Sequence, residues 1–223
     1  MSEPTHLRET RESYDTVAAS YAELVPGAFE KDTAGRSALR AFAALVTAAG
    51  GGPVADVGCG PGHVTACLHA LGLDAFGVDL SPGMVEMAHR DHPGLRFDVG
   101  SMTALEAADG HLAGLVAWYS VIHTPPGLLP SLFAEFHRVL APGGHLLLGF
   151  HAGDERRRKK EGYGGHPMSL DLHLLPPDRI VQLARAAGLV PVTRQVSDPE
   201  RAGGAPQARL LFRKPPASDR DEE

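Results

Sequence analysis

The stretch Val54-Ala55-Asp56-Val57-Gly58-Cys59-Gly60-Pro61-Gly62 decides how this chain reads. A short apolar run ends in glycines at alternate positions, and an apolar helical stretch, Gly62–Leu71, follows at once. Glycine lets the backbone turn sharply and lets a ligand come within contact distance of the main chain. A dinucleotide fingerprint, G-x-G-x-x-G, needs its third glycine at the position held by His63. The pattern is instead Asp-x-Gly-x-Gly-x-Gly. The next apolar run closes in Gly77-Val78-Asp79, and a carboxylate at that strand end can accept hydrogen bonds from both hydroxyls of a ribose. A purely structural glycine turn and a dinucleotide dehydrogenase are therefore the weaker readings.

Outward from this loop, short apolar runs at Val54–Val57, Ala75–Val78, Leu95–Val99, Leu112–Trp118 and His145–Phe150 alternate with helical stretches. Those helices are expected over Gly62–Leu71, Pro82–Arg90 and Leu128–Leu140. Strands spaced by helices of this length predict βαβ units and a mostly parallel sheet. Ser81-Pro82 is a good helix start, because the hydroxyl can cap and proline suits the first turn. Before the sheet, residues 1–50 read as two helices, Leu7–Leu24 and Ala34–Ala49, broken at Pro26-Gly27. After His151 the rhythm stops, and about 152–175 reads as a long insertion with a charge run at Arg156–Lys160. The favoured reading of that run is a solvated loop, ahead of anionic-substrate recruitment and RNA binding. A helix, Pro176–Ala187, and strands at Val190–Val196 and Ala208–Arg213 complete a unit spanning 51–214, and 215–223 reads as a disordered tail.

Composition bounds the function. The chain has 223 residues, 43% of them hydrophobic and 22% charged, the balance of a globular domain. A net charge of -6 argues against a binder that works by neutralising nucleic-acid phosphates. Cys59 and Cys67 are the two cysteines, too close together to staple a fold of this size, so a reduced, cytoplasmic protein is expected. No secretory signal or membrane-spanning run is read. Although there are 12 histidines, no spacing among them demands a metal.

Taken together, Asp56–Gly62, Asp79-Leu80-Ser81, the Arg138–Gly144 segment and the closing strand resemble the class I S-adenosylmethionine-dependent methyltransferases. The resemblance runs from about Tyr14 to Lys214 and is of the small-molecule type found in bacterial specialised metabolism. It implies an α/β, Rossmann-like fold: a seven-stranded mostly parallel sheet with an antiparallel last strand, under an N-terminal helical lid. It also implies S-adenosylmethionine as cofactor. Asp56, Gly58, Gly60 and Gly62 would then hold the methionine end, Asp79 the ribose, and Leu80 and Met84 the faces of the adenine. Ser101 and Met102 fall where the family meets the adenine edge, and Tyr119 and Ser120 complete the cofactor set with Tyr14.

In an open parallel sheet the ligand lies beyond the carboxyl ends of the strands. That places Trp118, Tyr119 and His123, after the fourth strand, on the acceptor side. Tyr14 and Tyr21 share one face of the first helix, the segment that relatives use as a lid over the methyl donor. His151, Tyr163, His166 and His173 come from the fifth strand end and the insertion that covers the acceptor in this family. The four Tyr and one Trp thus concentrate on segments facing the cofactor, which suggests an aromatic or heteroaromatic small-molecule acceptor. Tyr14 and His123 are the candidate catalytic pair, histidine being suited to proton transfer near neutral pH. A catalytically silent cofactor-binding protein and an RNA or protein methyltransferase are the alternatives.

Overall fold

The computed structural model describes residues 3–199 and 204–216. The chain opens with two helices, α1 (Thr5–Lys31) and α2 (Thr33–Ala48). The alternating core follows as β1 (Pro53–Val57), α3 (His63–Ala70), β2 (Asp74–Asp79), α4 (Pro82–Asp91), β3 (Phe97–Val99) and β4 (Leu112–Trp118). It continues through α5 (Leu129–Val139), β5 (Leu140–His151), β6 (Glu155–Gly162), β7 (His166–Leu174), α6 (Pro177–Ala186), β8 (Val190–Ser197) and β9 (Gln207–Arg213).

Seven strands form one sheet in the order β3-β2-β1-β4-β5-β9-β8. Strands β1 to β5 pair in parallel, whereas β9 runs antiparallel between β5 and β8, as the sequence led us to expect. Alternation along each strand supplies both faces with apolar side chains. Val54, Val116, Leu147 and Leu211 face α2 and α3, packing on Leu39, Phe42, Val46 and Leu68. Ala55, Leu115, Leu148 and Leu210 face α5 and α6, packing on Phe133, Phe136 and Ile180. The order reverses direction between β1 and β4, and a crevice opens there at the carboxyl ends of the strands.

Two expectations are corrected. Pro26 does not break the first helix; α1 carries it internally and ends at Lys31, and Asp32 starts α2 by accepting from the Gly35 amide at 2.8 Å. A proline removes one helical hydrogen bond, whereas the Asp32 carboxylate satisfies an amide that α2 cannot. The chain turns where the cap is.

The insertion is no loop. β6 and β7 form an antiparallel hairpin, with the Arg156–Lys160 run in the first strand. The hairpin is held because Met168 and Leu170 pack with Val17, Ala18 and Met84 in a small separate core. α1 is thus sandwiched between α4 and the hairpin. The buried Ser13 hydroxyl accepts from the Ser169 amide at 2.9 Å, and Arg158 bonds Glu9 at 3.1 Å, lacing β7 and β6 to α1. Of the expected tail, residues 217–223 lie outside the described residues. Among the described residues, no helix is long and apolar enough to cross a membrane.

Candidate active site

The glycine loop explains itself through its neighbours. Gly58 has φ +74°, and a Cβ added there would stand 2.3 Å from the Ser120 Cβ. Ser120 in turn donates its hydroxyl to the Val57 carbonyl at 2.7 Å, tying the ends of β1 and β4 together beneath the loop. Gly60, at φ +53°, leaves open space toward Tyr21, the nearest atom to an added Cβ lying 3.8 Å away. Gly62 serves packing instead: a Cβ there would meet the Phe97 ring at 2.6 Å. It caps α3 from a left-handed conformation and lies outside the cavity lining.

Asp79 closes the other side of the loop. Its two carboxylate oxygens accept from the amides of Gly60 (2.8 Å) and Ser81 (2.9 Å), which fixes the plane of the group. Removal from water pushes its pKa up to about 6, partly offset by those amides. Asp56 is wholly buried and accepts from the Thr65 hydroxyl at 2.7 Å through one oxygen. Its other oxygen, Oδ1, has no partner among the described residues. Burial raises this carboxyl to about 7.

These groups line two connected chambers. The first is lined by Gly58, Gly60, Asp79, Leu80, Met84, Ser101, Met102 and Ser120, together with Tyr14 and His123. The second includes Asp56, Trp118, Tyr119, His151, Lys159 and Tyr163. Tyr14, Tyr21, Trp118 and Tyr119 line both, so they form the seam. Ser101 reaches the first chamber with its hydroxyl already engaged by Thr103 at 2.7 Å.

Aromatic rings run along that seam. His123 and Tyr14 meet edge to face at 5.3 Å, Tyr14 and Tyr21 at 5.9 Å, and Tyr21 lies 4.6 Å from Tyr163. Tyr119, at the end of β4, holds φ +56°, a strained conformation for a bulky residue. Its hydroxyl donates to Gln207 at 2.6 Å, which points the ring along the chamber beside His151.

Tyr14 and His123 are directly bonded, with 2.8 Å between the hydroxyl and Nε2. The other ring nitrogen, Nδ1, lies 3.3 Å from the Asp171 carbonyl oxygen. A carbonyl can only accept, so Nδ1 carries the proton and Nε2 accepts from the phenol. Desolvation lowers the imidazole to about 4, with His173, His151 and Lys159 as further opposing charges. Burial and the neighbouring phenols hold Tyr14 well above the ordinary range. Both partners are neutral near pH 7.

Two expected acceptor residues stand elsewhere. His166 bonds the Ser20 hydroxyl at 2.8 Å on the outer side of α1, and His173 lines a separate surface hollow beside α6. Strand alternation in β7 turns Leu170 and Leu172 inward, leaving His173 on the opposite face. Lys159 and Gln207, which the sequence reading passed over, do line the second chamber. Asp15 was also missed as an anchor: its carboxylate takes the Ser81 hydroxyl at 2.6 Å and the Gly83 amide at 3.0 Å, docking α1 on the start of α4.

Residues 54–144 match the family model of the methyltransferase domain. That stretch is similar to a methyltransferase domain. Over 100 residues the domain is 40% identical to a trans-aconitate 2-methyltransferase of Methylobacterium nodulans, covering 43% of this chain and 36% of that protein. The match thus spans about a third of the length of that relative. A 1,6-didemethyltoxoflavin-N1-methyltransferase of Burkholderia thailandensis shares the fold with a TM-score of 0.66 at 21% identity, over 96% of this chain and 93% of that one. The magnesium protoporphyrin IX methyltransferase of Synechocystis does so with a TM-score of 0.70 at 15% identity, over 96% and 99%.

S-adenosylmethionine is the cofactor that the sequence resemblance implies, and the residues present fit it. The orphaned Asp56 Oδ1 is a buried acceptor beside the glycine loop, suited to the cofactor's ammonium group. Each Asp79 oxygen spends one lone pair on an amide and keeps another for a ribose hydroxyl. Leu80 and Met84 give the first chamber apolar walls of the kind an adenine needs.

Proposed function

We propose that this protein transfers a methyl group from S-adenosylmethionine to a small aromatic or heteroaromatic molecule. The observation that carries the reading is the Tyr14–His123 hydrogen bond, in which Tyr14 lines both chambers and His123 the first. The first chamber holds Asp79, suited to the ribose, and the second adds His151 and Tyr163 to the rings that both share.

When bound, the cofactor supplies an electrophilic methyl group on a sulfonium. The protein aligns the acceptor and excludes water, which is where such a displacement gains most. Tyr14 and Tyr21, held over the glycine loop by the Asp15 anchor, form the wall across which the acceptor meets the donor. The acceptor's proton passes to the Tyr14 oxygen as Tyr14 passes its own to His123 Nε2. A weakly basic imidazole suffices, because an acceptor atom bearing a newly formed bond to methyl is strongly acidic. The same relay serves an O–H, an N–H or a ring C–H.

Calorimetry with S-adenosylhomocysteine tests the cofactor site, and a mass screen of aromatic metabolites for +CH2 products tests transfer. Tight binding without any methylated product would favour a silent binding protein. Products formed only on RNA or protein would overturn the small-molecule assignment.

A further inference from the structure

The charge run of β6 is uneven in its partners. Arg156 pairs with Asp171 at 3.7 Å, Arg157 with Glu155, and Arg158 with Glu9 and Asp171, both at 3.1 Å. Lys159 has no carboxylate partner among the described residues. It is half-buried where its neighbours are exposed, and it pairs across the hairpin with Leu170, which lines the same chamber. The β6–β7 register shifts between Lys159 and Glu161, an irregularity of the kind that re-aims a side chain. The ammonium lies 3.9 Å from the centre of the Tyr163 ring. Gly162 makes room on its other side: a Cβ there would meet the Lys159 Nζ at 2.8 Å.

A cation held on the inner face of a hairpin, against an aromatic ring and without a counter-ion, costs stability unless something neutralises it. Neither of the chamber's own carboxylates pairs with Lys159 among the described residues. Asp32 is bound twice by Arg209 Nη2, at 2.8 and 2.9 Å, and Asp56 faces Thr65. The Lys159 charge bears on His123 and His151, opposing protonation of both. His151 adds a buried Nδ1 that has no hydrogen-bond partner among the described residues.

We infer that Lys159, with His151 beside it, binds an anionic group of the methyl acceptor, so that the substrate is an aromatic acid rather than a neutral ring. The inference rests on the proposed function and names the substrate class of that site. A carboxylate and an ionised ring hydroxyl carry the same chemistry here. An anion at Lys159 also offsets the positive field that opposes protonation of His123.

The test uses matched acid and amide pairs: salicylate with salicylamide, and indole-3-carboxylate with indole-3-carboxamide. Binding is measured by calorimetry on the full chain saturated with S-adenosylhomocysteine. The acids should bind about tenfold more tightly than their amides. Lys159→Met should abolish that preference, and Lys159→Arg should keep most of it. Both variants should bind S-adenosylhomocysteine within about twofold of wild type. Equal binding of acid and amide by wild type overturns the inference, as does failure of both acids to bind at about 10 mM. A loss of about tenfold in S-adenosylhomocysteine affinity in Lys159→Met also overturns it, because the lysine then serves the cofactor's carboxylate. No S-adenosylhomocysteine binding by wild type would instead remove the methyltransferase reading itself.

Discussion

The Tyr14 hydroxyl donates to Nε2 of His123 across 2.8 Å, joining the first helix to the turn after β4 in the wall of the first chamber. The direction of that bond is fixed from behind, because the Asp171 carbonyl claims the proton of Nδ1.

If the pair relays the acceptor's proton, Tyr14→Phe and His123→Ala should each lower turnover by about 10²- to 10⁴-fold. Affinity for S-adenosylhomocysteine should change far less. Because the two act as a unit, the double variant should be little worse than either single one. Steady-state kinetics beside calorimetry checks both statements, and full turnover in both single variants would end the relay proposal.

Asp79 should give the proposed cofactor site a pH dependence. Its folded-state pKa is raised to about 6, so the carboxylate is fully charged only above that value. Affinity for S-adenosylhomocysteine should be complete at about pH 8 and fall up to about tenfold per unit as the pH drops below about 6. In Asp79→Asn that step should vanish, with affinity low throughout. A step near 7 that survives in the variant would belong to Asp56, whose pKa is about 7.

The hairpin is held by packing, so Leu170→Ala should lower global stability by about 2–5 kcal/mol, the usual cost of truncating a buried leucine. Leu170 is 1% exposed and touches the small core shared with Val17 and Met84. Denaturant unfolding measures the loss, and hydrogen exchange should show β6 and β7 opening ahead of the main sheet.

Asp15→Ala removes the acceptor for both the Ser81 hydroxyl and the Gly83 amide. The cost should be about 1–2 kcal/mol, the range for a lost helix cap. Amide exchange should accelerate in α1 while the β1–β5 core stays protected.

Gly58→Ala should be more damaging than its size suggests. A positive φ is unfavourable for alanine, and the added methyl would collide with Ser120, which holds β1 to β4. Thermal melting with and without S-adenosylhomocysteine should show a lower midpoint and loss of the ligand-induced rise.

The parallel sheet, the glycine loop and Asp79 were legible in sequence because each is a local pattern: apolar runs at βαβ spacing, and a turn that only glycine allows. Most of the first chamber follows from strand ends, and so did Trp118, Tyr119 and His123. The hairpin was not legible as such, although Met168, Leu170, Leu172 and Leu174 alternate, because β6 reads as a solvated charge run. Its inward face is complete only against α1, a segment far away in the chain. The same distance hid Asp15, whose partners lie 66 and 68 residues on.

The sequence alone therefore determined where a glycine loop must form and which rings crowd the ends of the strands. Tertiary structure alone decided that Tyr14 reaches His123, that His166 and His173 stay outside, and that Lys159 turns inward. Local patterns fix a strand or a turn, since their energetics act between neighbours in the chain. The second chamber is closed by surfaces from α1, β4, β5, β7 and β9, and no one of them is a chamber wall until the others are packed against it.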